Sequence, residues 1–378
     1  MARVKKHIKS PGLAGVIVAD SELSYIDGLA GILRYRGYNI SDLAQHATYE
    51  EVVHLLWFGE LPNREQLEAL KIRLIGERTI HHGVLTLMSA FPTWPEPIEV
   101  LRTAVSALSS YDSESEVNSP DANLRKAIRL VAKMPTIVAS YCRLRDGKYP
   151  LSPDPTLGHA ANFLYMVSGE KPSALKEQAM NMAMVSMSDH GLNASTFAAR
   201  VIASTLSDMY SAVTGAIGAL KGPLHGAANR GSMEMMLEIG DVTRVEEYVE
   251  GALISGKKIM GFGHRVYKTM DPRAINLKAM VEALSQNDSY AKWGRLALRI
   301  NEVVTTQKGL NPNVDFYSGA MMYLLGLSLD VFTPIFACSR VAGWTAQIME
   351  QYNNNRLIRP LATYIGPEER EYIPLDER

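Results

Sequence analysis

The sequence predicts a fold that is almost entirely α-helical, with a small β-hairpin near the amino terminus. Three observations carry this expectation. Beyond residue 47 apolar residues recur at helical spacing. The strand-helix alternation of a parallel-sheet enzyme is missing. The only convincing β-prone runs lie in the first forty residues, two of them around an Asp-Gly turn.

Each element follows from its own residues. Val16-Ile17-Val18 is a short β-prone run. Leu23-Ser24-Tyr25-Ile26 and Ile32-Leu33-Arg34-Tyr35 flank Asp27-Gly28 and read as a hairpin too short to be more than an appendage. Thr48 and Glu51 form a capping-box pair ahead of Val52, Leu55 and Leu56. Pro62-Asn63 opens a helix with Leu67, Leu70 and Leu74 on one face. The polar stretch Ser110 to Ala122 reads as an exposed loop between helices. Asp154-Pro155 reads as an N-cap followed by proline in the first turn, and Ser173 caps Ala174 to Met187. Lys221-Gly222-Pro223 suits a hinge, with a helix expected from Pro223 to Ile239. Phe316 to Ser339 carries one charge, Asp330, and has the length of a membrane span. Asp330 and Pro334 break it, so two buried helices are the expectation. From Gly366 the charged, proline-containing tail reads as an arm, either mobile or laid across a partner subunit. No fixed-period repeat is present, which excludes a regular solenoid.

Composition narrows the function class. The 378 residues include 39 basic and 40 acidic side chains, and 47% are hydrophobic. Such a chain folds as two domains or one large one and needs no disulfide or metal to build a core. The balanced charge argues against a nucleic-acid binder, so an anionic ligand has to be met by a local cluster of cations. Cys142 and Cys338 cannot form a disulfide framework or a Cys-rich zinc site, and they fit a reducing intracellular compartment, the cytoplasm. The basic opening Met1 to His7 is followed by no apolar core and does not read as a signal peptide.

Chemistry concentrates in a few places. Three histidines have glycine and polar neighbours: Ser188-Asp189-His190-Gly191, Gly222-Pro223-Leu224-His225-Gly226 and Gly261-Phe262-Gly263-His264-Arg265. There is no His-Glu-x-x-His, no Walker sequence, no nucleophile elbow and no complete dinucleotide fingerprint. Ser173-x-x-Lys176 matches a weak nucleophile pattern at a position better read as a helix cap. Lys257, Lys258, Arg265, Lys268 and Arg273 put five cations against Asp271 alone in a glycine-containing run, suited to phosphate or carboxylate groups or simply to a solvated face. Asp315 precedes a strongly apolar segment. Partial desolvation there would raise its pKa and make it a general base, while the local sequence by itself favours a helix N-cap.

Together these motifs resemble the citrate synthase family. The resemblance rests on Gly222-Pro223-Leu224-His225-Gly226, Gly261-Phe262-Gly263-His264, Asp271-Pro272-Arg273 and Asn313-Val314-Asp315-x-x-Ser318-Gly319, in that order. Asp189-His190-Gly191-x-Asn193-x-Ser195, Ser339-Arg340-x-x-Gly343, Leu357-Ile358-Arg359-Pro360 and the opening Gly12-Leu13-Ala14-Gly15-Val16 add to it. It covers nearly the whole chain and looks like the short archaeal or bacterial type.

The resemblance implies a two-domain helical fold, with a large domain over 1–221 and 325–378 and a mobile small domain inserted over 222–324. It implies condensation of acetyl-CoA with oxaloacetate and water to citrate and CoA, or the 2-methylcitrate reaction with propionyl-CoA. His225, His264 and Asp315 match the catalytic positions, and His190, Arg273 and Arg340 the oxaloacetate-binding ones. Arg359 matches an arginine contributed across a homodimer interface. CoA contacts are expected from Lys257, Lys258, Gly261, Gly263, Arg265 and Lys268, with Lys268 at a position that is usually a basic phosphate contact. No metal or redox cofactor is implied, and the CoA thioester is a substrate. The positive end of the 223–239 helix would keep His225 neutral. The competing reading of another class is a non-catalytic helical scaffold, which gives the three catalytic positions no reason to converge.

Overall fold

The computed structural model describes residues 10–286 and 291–378. The basic opening Met1 to His7 lies outside the described residues. Among those described, the chain forms sixteen α-helices and one three-stranded antiparallel sheet. The strands are β1 (Ser24–Asp27), β2 (Ile32–Tyr35) and β3 (Tyr38–Asn39). The helices are α1 (Ile40–His46), α2 (Tyr49–Phe58), α3 (Arg64–Glu77), α4 (His82–Ser89), α5 (Pro97–Leu108), α6 (Pro120–Arg145), α7 (His159–Ser168) and α8 (Ala174–Met187). They continue as α9 (Ala194–Ser204), α10 (Met209–Leu220), α11 (Ala228–Ile239), α12 (Val245–Ser255), α13 (Pro272–Leu284), α14 (Ala291–Lys308), α15 (Val314–Leu324) and α16 (Phe332–Asn353).

Local signals set many of the boundaries. Thr48 and Glu51 form both halves of the capping box at α2, Asn63 does the same with Gln66 at α3, and Ser173 accepts from Lys176 N at α8. That last bond places Ser173 in a cap. The hairpin pairs Ser24 with Tyr35 through Asp27 with Ile32, and Asp27 Oδ1 accepts from Leu29 N and Ala30 N, closing the turn. A third strand, Tyr38–Asn39, extends it.

Two expectations need correction. Val16–Val18 forms no strand. Asp154-Pro155 starts no helix. Asp154 instead caps a turn, with its Oδ1 accepting from Thr156 N and Oγ1, while its carbonyl accepts from the distant Arg78. The chain turns helical only at His159, whose N–H donates to the buried Glu50. The 110–122 stretch is, as expected, mostly exposed and lies between α5 and α6, and it is pinned by ion pairs. Arg129 pairs with Asp112 and Glu114, Arg125 pairs with Glu114, and Lys126 Nζ donates to the carbonyls of Ser115 and Val117.

The apolar run near the carboxyl end breaks as expected. α15 stops at Leu324, and a short 3-10 turn over Leu329–Val331 leads into α16. Asp330 there is ion-paired with Arg145. Every residue of α16 from Phe332 to Ile348 is buried, the signature of a helix at the centre of a large core. No described helix is long and apolar enough to cross a membrane. Both cysteines are buried free thiols, and burial pushes the Cys142 thiol up to about 12. From Asn354 the backbone has no α-helix and is mostly exposed.

Candidate active site

A cavity of about 710 Å³ brings together His190, His225, His264, Arg273, Asp315 and Arg340. The six come from loops beside α8, α11 and α13, from the first turns of α13 and α15, and from the middle of α16. Gly12, Leu13, Val16, Val18 and Ile26 also line it. The amino-terminal segment that failed to form a strand is thus part of the cavity wall.

His225 lies in the turn preceding α11. Its own N–H donates to Gly222 O at 2.9 Å, and Gly226 N donates to Leu220 O at 2.9 Å. These bonds close a turn in place of the first helical turn expected from Pro223, so α11 begins at Ala228, three residues after His225. A second helix start reaches the ring directly. In the first turn of α9, Ser195 N donates to His225 Nε2 at 3.3 Å, and Ser195 Oγ lies 2.9 Å from the same nitrogen. Trp344 Nε1 holds that hydroxyl at 3.2 Å. With Nε2 accepting an amide proton, the neutral ring carries its hydrogen on Nδ1. Burial, with Arg340 nearby, lowers the His225 pKa to about 4.

His264 is fixed by the same logic. Its Nδ1 accepts from Val266 N at 2.9 Å and Tyr267 N at 3.0 Å, so Nε2 is the ring's donor. Burial and the neighbouring Arg273 lower its pKa to about 4. The loop that carries it is laced to the start of α15. Asn313 N donates to Gly261 O at 2.9 Å, Asn313 Nδ2 to Gly263 O at 2.8 Å, and Gly263 N to Asn311 O at 3.0 Å. Gly261 has φ +81°, and a Cβ there would stand 2.6 Å from both Phe316 Cβ and Ser232 Oγ.

The cap of α15 is Asn313, whose side chain accepts from Asp315 N at 3.0 Å. This removes the N-cap reading of Asp315 and leaves its carboxyl to the cavity. Burial raises that carboxyl to about 6, against the opposing pull of Arg273 and Arg340.

The two arginines are held differently. Arg273 forms a bidentate pair with Asp271, at 2.9 Å from Nε and 2.8 Å from Nη2. Asp271 also accepts from Arg273 N and Val314 N, each at 3.1 Å, which ties α13 to α15. Arg340 is 1% exposed, donates Nε to Met187 O at 2.5 Å and stacks 4.7 Å from the Phe336 ring centroid. Burial lowers its pKa to about 10. One turn along α16, Gly343 N donates to Ser188 O at 3.1 Å, and a Cβ there would fall 2.3 Å from that carbonyl oxygen. His190 Nε2 lies 3.0 Å from Tyr267 Oη, and burial together with Arg273 and Arg340 keeps the imidazole well below its ordinary pKa.

The sequence-derived CoA contacts divide. Arg265 lines the cavity, and Lys257, Lys258, Gly261, Gly263 and Lys268 do not. Lys257 pairs with Glu238 at 3.0 Å and sits over the Tyr248 ring. Lys258 is exposed. Lys268 N donates to Gly28 O at 2.7 Å, which anchors the hairpin tip to the His264 loop. The hairpin is therefore a buttress of the site. Arg359 is exposed and does not line its own chain's cavity. Among the described residues no three His, Cys, Asp or Glu side chains are grouped to hold a metal ion.

The profile of the family described as "Citrate synthase, C-terminal domain" matches residues 12–361. The chain belongs to the citrate synthase family. It is 48% identical over 368 residues to citrate synthase 2 of Bacillus subtilis, covering 97% of this chain and 98% of that one. It is 42% identical to 2-methylcitrate synthase 1 of Corynebacterium glutamicum, covering 97% and 98%. Among solved structures it resembles a citrate synthase from Thermoplasma acidophilum in ternary complex with carboxymethyl coenzyme A and oxaloacetate. That match has a TM-score of 0.92 and 36% identity and covers 98% of this chain and 100% of that one. The helical architecture is the family's, and citrate synthase family membership makes the chain an enzyme.

Membership leaves the supporting residues to be read from the structure. Ser195 closes the Asp189–Ser195 motif, which gives it no role of its own, whereas Tyr267 and Trp344 carry no signal in the sequence. Each makes a side-chain contact across a long chain separation: Ser195 with His225, Tyr267 with His190 and Trp344 with Ser195.

Proposed function

We propose that the chain condenses acetyl-CoA with oxaloacetate and water to give citrate and CoA. The observation that carries this is the convergence of His225, His264 and Asp315 with Arg273 and Arg340 in one cavity, each of the first two imidazoles accepting a backbone amide proton on one ring nitrogen. Asp315 removes a proton from the thioester methyl group. Such a methyl is a very weak acid, so the larger requirement is to stabilise the enol or enolate as it forms, and His225 Nδ1–H donates to the thioester oxygen. The nucleophile attacks the ketone carbon of oxaloacetate while His264 Nε2–H donates to the ketone oxygen. Arg273 and Arg340 take the two carboxylates with their planar forks, His190 adds a donor, and Arg359 reaches the site from the other subunit of a homodimer. Hydrolysis of the citryl thioester then releases CoA.

Residues 222–324 form the small domain in this reading, and its movement against the large domain (1–221 and 325–378) closes the site to water. The CoA phosphates meet Arg265 first, with Lys257, Lys258, Lys268 and the amides around Gly261 and Gly263 as outer contacts. The cytoplasm suits the buried free thiols. Likeness to a 2-methylcitrate synthase supports propionyl-CoA as the second acyl donor, since one methylene changes pocket binding by only ~1–3 kcal/mol. Comparison of kcat/KM for the two thioesters ranks them. The defining test is oxaloacetate-dependent release of free thiol from acetyl-CoA. Asp315→Asn should lower kcat by about 10²–10⁴ with little change in oxaloacetate affinity. A wild type that releases no thiol, with Asp315→Asn changing nothing, would leave the scaffold reading standing.

A further inference from the structure

We infer that Tyr267 is a positioning residue that fixes which nitrogen of His190 faces oxaloacetate and holds His264 in register beside it. The inference rests on the oxaloacetate reading above. The Tyr267 hydroxyl stands 3.0 Å from His190 Nε2, and the tyrosine is 2% exposed. Its ring packs edge-on to His190 at 5.6 Å and tilted against His264 at 4.7 Å. Its backbone N–H donates to His264 Nδ1 at 3.0 Å. One residue thus touches both imidazoles, by three kinds of contact, yet does not line the cavity. The next residue carries the Lys268–Gly28 bond, so the segment is anchored from the hairpin side as well.

The direction of the His190 bond follows from hydrogen-bond accounting. Among the described residues the Tyr267 hydroxyl has no other partner. If His190 Nε2–H donated to it, the buried tyrosine proton would have no acceptor, a loss of about 1–3 kcal/mol. The tyrosine is therefore the donor, Nε2 the acceptor, and Nδ1 the only N–H of His190. Burial raises the phenol and lowers the imidazole, so both partners stay neutral. Without the hydroxyl, His190 can adopt either tautomer, and part of the population presents an acceptor lone pair to a dianion.

The test is a double-mutant cycle read by thiol release, comparing wild type, Tyr267→Phe, His190→Gln and the double variant. Tyr267→Phe keeps the ring packing and the backbone bond to His264. It should raise the oxaloacetate KM about 3- to 10-fold, the weight of one neutral hydrogen bond, with kcat and the acyl-CoA KM within about twofold. In the His190→Gln background the same change should add less than about 1.5-fold. An unchanged KM, or an equal effect in both backgrounds, overturns the inference while leaving the enzyme reading intact. A wild type that releases no thiol overturns both.

Discussion

Asp271→Asn removes the counter-charge from the most enclosed ion pair of the site. Both side chains are almost fully buried, 3% exposed for Arg273 and 0% for Asp271. The carboxylate accepts four hydrogen bonds: three from Arg273, at 3.1, 2.9 and 2.8 Å, and one from Val314 N at 3.1 Å. An asparagine amide keeps one acceptor oxygen and turns its NH₂ toward groups that are themselves donors. The guanidinium is left buried with no opposite charge. Breaking a buried pair from one side costs about 3–5 kcal/mol. For a chain of this length the thermal midpoint should fall by about 4–6 °C, measured by circular dichroism at fixed protein concentration. The oxaloacetate KM should rise with it, because the Arg273 fork loses its hold. Burial alone would raise the Asp271 carboxyl, but Arg273 and its hydrogen bonds carry it below the ordinary value. The pair's contribution is therefore complete above the ordinary carboxylate range and disappears as pH drops through the lower folded value. The gap between wild type and variant should narrow in acid. A variant with wild-type midpoint and wild-type KM would refute the assignment of Arg273's placement to this pair.

Other expectations are as direct. The acid limb of kcat/KM should have its midpoint near 6, where Asp315 gains a proton, and not near 4, where His225 and His264 would. Since burial raises Asp315 from 3.8 to about 6, its charge opposes folding once pH rises through that window. Asp315→Asn should thus melt higher than wild type at pH 8, and the difference should vanish towards pH 4. Mixed Arg359→Ala and His225→Ala subunits should recover activity in one site of the heterodimer. Verified mixing without recovery would place Arg359 in its own subunit's site.

What the sequence disclosed was mostly local in origin. Thr48 with Glu51, Asn63 and Ser173 satisfy amides within three residues, so their patterns are visible without any fold. The failures are tertiary. Asp154 carries a cap-like signal, yet Arg78 takes its carbonyl and Glu50 supplies the real start of α7. Val16–Val18 is apolar because two of its members face the cavity, not because it joins a sheet. The site divides the same way. Motif order located the six side chains that meet in the cavity, but the tautomers of His225 and His264 depend on amides of Ser195, Val266 and Tyr267, which spacing cannot reveal.

Position 343 has no spare volume. Its backbone already rests on Ser188, and the nearest atom beyond that carbonyl, Asp189 Oδ1, would stand 2.6 Å from an added methyl. Even alanine would have to lift α16 off the strip of chain that ends in His190, and Arg340 would be carried away with it. In a saturation library scored by growth on the proposed activity, that column should be blank for nineteen residues, although Gly343 does not line the cavity.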